Sequence, residues 1–291
     1  MNTLTATVFD STLNFVGEGP LWHPITQTLY WVDFPNHILH SKKGDHKVEQ
    51  RFDDMVTALA WVNNETLLLA SDKGLNTYNT STHKQTFLCS VEADKPDNRS
   101  NDGRADPWGG FWISTMHGDA HENEGAIYRF HNGVLTQVVS DLTIPNGICF
   151  DKSRARAYYA DSKTQKIYRF DVDSLTGSPI GESVLFFDYS SSSVSPDGAV
   201  IDSEGNMWIA LWDGARVDCI SPKAKVIQSL ATQTPRPTCP AFGDDATTLY
   251  VTSAQCDLED TPFNAIPHGA TLAFKNAVKG VFEPCVKIDG F

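Results

Sequence analysis

A short unit recurs six times along these 291 residues, and that recurrence constrains the fold more than any other feature. Each copy joins an apolar strand, a polar turn and a second strand rich in aromatic or β-branched residues. The copies read GPLWHPITQTLYWVD, TALAWVNNETLLLAS, GRADPWGGFWIST, NGICFDKSRARAYYAD, GAVIDSEGNMWIAL and PAFGDDATTLYVTS. Their second strands begin near Leu29, Leu67, Phe111, Ala157, Met207 and Leu249, at successive steps of 38, 44, 46, 50 and 42 residues. A period of about 40–45 residues is that of a four-stranded propeller blade. Third strands are expected at IYRF (127–130), IYRFD (167–171) and RVDCI (216–220), and outer strands at TQVVS (136–140) and SVLFF (183–187). Six such units closing into a ring bury their faces against one another and leave no long exposed edge. The expected fold is therefore all-β, a six-bladed β-propeller, with residues 1–291 forming a single domain. The segment TATVF, ahead of Glu18, is expected to add a strand to the C-terminal blade and fasten the ring.

An α/β alternative needs helical stretches between strands, and no segment has a convincing helical period. The one low-complexity patch, SSSSVSPDG at 190–198, is expected in a loop. Hydrophobic residues at 41% and charged residues at 20% are the balance of a folded globular chain rather than a disordered one. A formal charge of −13 with no basic run argues against a nucleic-acid partner, since phosphate backbones are bound by basic surfaces. No apolar run is long enough to span a bilayer, so no membrane partner is expected. The first residues carry no basic segment followed by an apolar one, which points to a cytoplasmic protein. The six cysteines are scattered without paired spacing and are expected to be reduced structural thiols. A monomer is the default expectation.

The first strand of each unit should lie nearest the ring axis, so residues just before it should approach a central channel. Those junctions read GEGP (17–20), SNDGRADP (100–107), IPNGICFD (144–151) and SPDGAVID (195–202). Four separate loops would thus bring Glu18, Asn101 with Asp102, Asn146 and Asp197 to equivalent places. All are oxygen donors, the kind preferred by hard cations such as calcium, magnesium and manganese. Asn-Gly and Asp-Gly are also ordinary turn signals. Here, however, they precede the first strand of the unit, whereas hairpin turns lie between its strands. The nine histidines show no HExxH spacing, and no GxSxG elbow is present, which disfavours a zincin and a serine esterase.

On GEGPLW (17–22), RSNDGRADPWGGFWISTM (99–116), PNGICFD (145–151) and SPDGAVIDSEGNMWIALWDGARV (195–217), the chain resembles the family of senescence marker protein 30 (regucalcin), gluconolactonase and luciferin-regenerating enzyme. The resemblance covers nearly the whole chain, in order. It implies a six-bladed propeller with one divalent metal in its central cavity and a lactonase that opens sugar lactones such as gluconolactone. On that resemblance Glu18, Asn146 and Asp197 match the metal ligands, and Arg99 and Asn101 match residues that contact the sugar. Calcium is the expected ion, with zinc, manganese, magnesium and iron(II) as alternatives. An acidic substrate contact is expected after Met116, in TMHGDAHENEG, where His117, Asp119 and Glu122 all qualify and Asp119 is taken as the candidate.

A metal held by three protein oxygens can polarise the lactone carbonyl and steady the oxyanion, and Asp197 is the candidate general base on water. Arg99 could orient hydroxyls or a carboxylate, or simply pair with Asp94 or Asp97. Trp108, Trp112 and Trp208 read as blade packing, while Trp212 could line the cavity mouth. Two other functions fit the same residues. One is a calcium-binding regulatory protein without turnover, as the name regucalcin suggests. The other is an esterase or phosphotriesterase of the same fold.

Overall fold

A computed structural model describes residues 4–258 and 266–290. Six four-stranded antiparallel sheets follow one another around a ring. Blade one comprises Gly17–His23, Thr28–Asp33, Ile38–Lys43 and His46–Arg51, from axis to rim. Blades two to five repeat that order, with innermost strands Val56–Asn63, Asn98–Ala105, Pro145–Asp151 and Ser195–Ile201. The second strands Thr28–Asp33, Thr66–Ser71, Phe111–His117, Arg156–Asp161, Met207–Trp212 and Thr248–Ser253 begin within one residue of the positions expected from the repeat.

Blade six takes Pro237–Gly243, Thr248–Ser253 and Thr271–Phe274 from the C-terminal part and its outer strand, Thr7–Asp10, from the N-terminal part. The ring is closed by hydrogen bonding between the two ends of the chain, as the TATVF segment suggested. Side chains reinforce that closure. The Asp10 carboxylate accepts from Lys42 at 3.0 Å and lies 3.3 Å from Lys47, both on blade one.

The core is divided among the six blade-to-blade faces. Strand alternation sends Phe111 and Ile113 toward blade two, while Trp112 between them packs toward blade four. Trp31, Trp112 and Trp208 have no solvent exposure. They sit between blades six and one, three and four, and five and six. Each fully buried large side chain contributes about 1.5–3 kcal/mol through apolar burial. Helix is confined to two single 3-10 turns among the described residues, Phe34–Asn36 and Lys152–Arg154. The serine-rich patch is shorter as a loop than expected, because Ser195–Gly198 already belongs to the innermost strand of blade five. No helix among the described residues is long and apolar enough to cross a membrane.

Beyond blade six the chain crosses the face opposite the candidate site. Its backbone bonds successively to Ala246, Ser203, Trp61 and Gly109, touching blades six, five, two and three. Trp61 Nε1 also donates to the Glu283 carbonyl at 2.9 Å. At the axis the Glu283 carboxylate pairs with the buried Arg104 guanidinium, which donates from Nε to Ile148 O at 2.9 Å.

Candidate metal and substrate site

All six innermost strands shift register near their axial ends, between Glu18 and Leu21, Val56 and Ala58, Ser100 and Gly103, Asn146 and Cys149, Pro196 and Ala199, and Pro237 and Pro240. A bulge of this kind puts extra residues on one strand and re-aims their side chains. The candidate ligands therefore lie inside the innermost strands, at bulges, rather than in preceding loops as the sequence suggested. Blades one, three, four and five present Glu18, Asn101 with Asp102, Asn146 and Asp197 there, whereas blades two and six present Thr57 and Thr238.

Two of the glycines beside them, Gly147 and Gly198, serve packing between blades. Gly147 has φ +63°, and a Cβ on it would meet Asp197 O at 3.1 Å. A Cβ on Gly198 would lie 2.3 Å from Cys239 Sγ. The Asn-Gly and Asp-Gly pairs are thus close-approach points at the axis and not hairpin turns.

Glu18, Asp102, Asn146 and Asp197 line one cavity of about 390 Å³ together with Arg99, Asn101 and Trp212. Burial, then the neighbouring Asp102, pushes the Glu18 carboxyl up to about 8. Burial followed by Glu18 and Asp102 drives Asp197 well above the usual carboxylate range, and burial raises Asp102 as well. Three carboxyl groups, half-buried Glu18 and buried Asp102 and Asp197, repel one another here, and a divalent cation would offset their repulsion. The all-oxygen donors of Glu18, Asn146 and Asp197 fit a hard ion. Asp102 is held elsewhere, since its Oδ2 accepts from Ile148 N–H at 2.8 Å.

The side chains form a hydrogen-bonded relay across three blades. Arg99 Nη1 donates to Asn101 Oδ1 at 3.0 Å, and Asn101 Nδ2 donates to Asn146 Oδ1 at 2.9 Å. Asn146 Nδ2 donates to Ser162 Oγ at 2.8 Å, and that hydroxyl donates to Pro196 O at 2.6 Å. Arg99 bonds to Asn101 and Ser100 O rather than to Asp94 or Asp97, and its guanidinium lies 5.1 Å from the Phe34 ring centre. Trp212 does line the cavity, stacked under Arg236 at 4.9 Å. Asp119 is not among the cavity-lining residues; it is exposed on the turn after Phe111–His117, where its amide donates to His117 Nδ1 at 3.0 Å.

Residues not anticipated also shape the site. Asp33 accepts from Phe15 and Val16 amides at 3.0 and 3.1 Å, and Asp161 from Thr143 and Ile144 amides at 3.0 and 3.2 Å. These carboxylates end the second strands of blades one and four and pin the segments entering the innermost strands. The pattern was visible as YWVD and YYAD in the repeat units.

The family described as SMP-30/gluconolactonase/LRE-like region matches residues 16–255. The chain belongs to that family. Among its relatives, a putative sugar lactone lactonase of Rhizobium meliloti is 37% identical over 94% of each chain. A second putative sugar lactone lactonase, from Bacillus subtilis, is 31% identical over 92% of this chain and 94% of its own. A crystal structure of a calcium-binding protein, regucalcin, from Agrobacterium tumefaciens superimposes with a TM-score of 0.94 at 35% identity, over 99% of this chain and all of that one. That SMP-30-type propeller and this chain therefore share their architecture over essentially their full length.

Proposed function

We propose that this member of the family opens sugar-derived lactones of the gluconolactone type to the corresponding sugar acids. The convergence of Glu18, Asn146 and Asp197 from three blades on one cavity, beside the Arg99–Asn101 pair, carries the reading. The names of the Rhizobium and Bacillus relatives supply the substrate class. Glu18, Asn146 and Asp197 would hold one divalent ion, calcium being the ion we propose, in keeping with the calcium-binding Agrobacterium relative. Bound there, such an ion supplies Lewis acidity toward the lactone carbonyl.

The chain's own groups account for the rest. Arg99 donates hydrogen bonds to the sugar hydroxyls, while Asn101, whose two N–H groups are taken by Pro145 O and Asn146 Oδ1, offers its remaining oxygen lone pair to one of them, and the Arg99–Asn101 bond fixes how both groups point. Phe34 and Trp212 present ring faces to the sugar's apolar side and keep water from the mouth. Asp197 takes a proton from the water that adds to the carbonyl carbon. The ring C–O bond then breaks, and the departing ring oxygen leaves as a hydroxyl after receiving that proton. A carboxylate is a weak base, and a lactone is a reactive enough ester for weak base catalysis to suffice.

Six free thiols, four of them buried, suit the cytoplasmic setting we propose. The deciding experiment is a pH-stat assay on a panel of aldonolactones, aryl esters and phosphotriesters, before and after EDTA treatment and ion replacement. Acid release from aldonolactones that EDTA abolishes and added ion restores is the expected result. Full activity after complete metal removal would overturn the metal-dependent reading. Calcium binding without acid release from any substrate would favour a regulatory protein instead.

A further inference from the structure

The turn following Phe111–His117 gathers three metal-ligating side chains that the central site does not use. His117, Asp119 and His121 each offer a ligand atom, and these atoms lie within 4.8 Å of one another. The two imidazole rings stack with centroids 3.8 Å apart and 13° between their planes. Backbone bonds fold the turn: Ala120 N–H donates to His117 O at 2.9 Å, and Asp119 N–H to His117 Nδ1 at 3.0 Å. Asp119 and His121 are exposed and His117 is half-buried, so an ion has open access.

We propose that His117, Asp119 and His121 form a second metal site, on the surface turn that follows Met116, selective for a borderline divalent transition ion such as zinc. Two imidazole nitrogens and one carboxylate oxygen are the donor set such ions favour, and calcium and magnesium disfavour. The central site has the opposite composition, with carboxylate and carboxamide oxygens only. Zinc bonded at about 2.0–2.2 Å to each ligand brings neighbouring donor atoms to roughly 3.5 Å, so binding requires the stacked rings to turn and point their nitrogens at one ion. The fourth position is left to water. If His117 ligates through Nδ1, binding exchanges a single hydrogen bond, from the Asp119 amide, for a metal bond. The ion would tie the turn to the end of the strand carrying Met116, which lines the cavity.

Because the two sites differ in chemistry, they can be tested separately. Metal-depleted protein is titrated with zinc alone and with calcium alone, by calorimetry and by bound-metal analysis after desalting. The comparison is between the native chain and a His117→Ala/His121→Ala variant, with circular dichroism as a control for folding. The expected result is the loss of one zinc ion per chain in the variant with calcium stoichiometry unchanged. Asp119→Asn, which keeps both rings, should bind that zinc more weakly. Equal zinc stoichiometry in the native chain and the double variant would overturn the proposal. Loss of calcium binding in the native protein would instead count against the central site.

Discussion

The carboxamide of Asn101 donates to Asn146 Oδ1 at 2.9 Å, so the side chain proposed to contact the sugar also orients the oxygen proposed as a metal ligand. A carbonyl oxygen has two lone pairs and can serve a donor and a cation together. Asn101→Ala should therefore disturb both functions. Partners that orient a metal ligand typically affect affinity or activity by about 10–100-fold. We expect kcat/KM to fall by that order, with weaker metal binding, as read from steady-state assays and calorimetric titration.

Asp197→Asn keeps the shape of the side chain but removes the proposed base and a proposed metal ligand from the site. Loss of general-base catalysis typically lowers rates by about 10²–10⁴-fold. Lactone hydrolysis followed by pH-stat should drop at least that far, and metal affinity should weaken alongside it.

If an ion is bound at the central site, removing it with EDTA should lower thermal stability, since the Glu18 and Asp197 carboxyls then repel each other with Asp102 nearby. Restoring the ion at about 100 times its dissociation constant adds about 2.7 kcal/mol. For 291 residues that corresponds to a melting shift of roughly 4 °C in a calorimetric scan. No upward shift with any divalent ion would count against a central metal.

Ring closure should be acid-sensitive through Asp10. Burial works to raise its carboxyl, but hydrogen bonds from Thr12 and Lys42 and the charge of Lys47 outweigh it and hold the group at about 2, against 3.8 unperturbed. A depressed carboxyl stabilises the fold above its unfolded value, and that contribution is lost as pH falls through the native one. The native chain should lose stability between about pH 4 and pH 2 more steeply than Asp10→Asn, which lacks the titrating group. Urea unfolding at several pH values reads the difference.

Glu283→Leu should destabilise the chain by about 3–5 kcal/mol, the usual consequence of stranding a buried charge, here Arg104. Adding Arg104→Met to it should recover much of that loss, because an apolar pair of similar volume carries no desolvation cost. Chemical denaturation of the single and double variants tests the coupling.

Much of this molecule was readable from its pattern. Leu29, Phe111 and Met207 mark second strands because alternating apolar and aromatic residues recur at blade spacing, and Thr7–Asp10 completes the last blade. The bulges at Glu18, Asn146 and Asp197 were not readable, since a register shift depends on the neighbouring strand and leaves no mark of its own in a sequence. The family resemblance implies an acidic contact after Met116, with Asp119 as its candidate, but the turn carries that residue to the surface beside two histidines. Glu283 lies in a segment without repeat or strand pattern, and only its packing against Trp61 and Arg104 reveals what it does.

The C-terminal segment crosses one end of the axis, pinned by Arg104 and Glu283, and none of its residues lines the cavity at the other end, so we expect substrate and product to use that other end alone. A sugar acid lingering there would obstruct the next lactone, so turnover should be competitively inhibited by its own product.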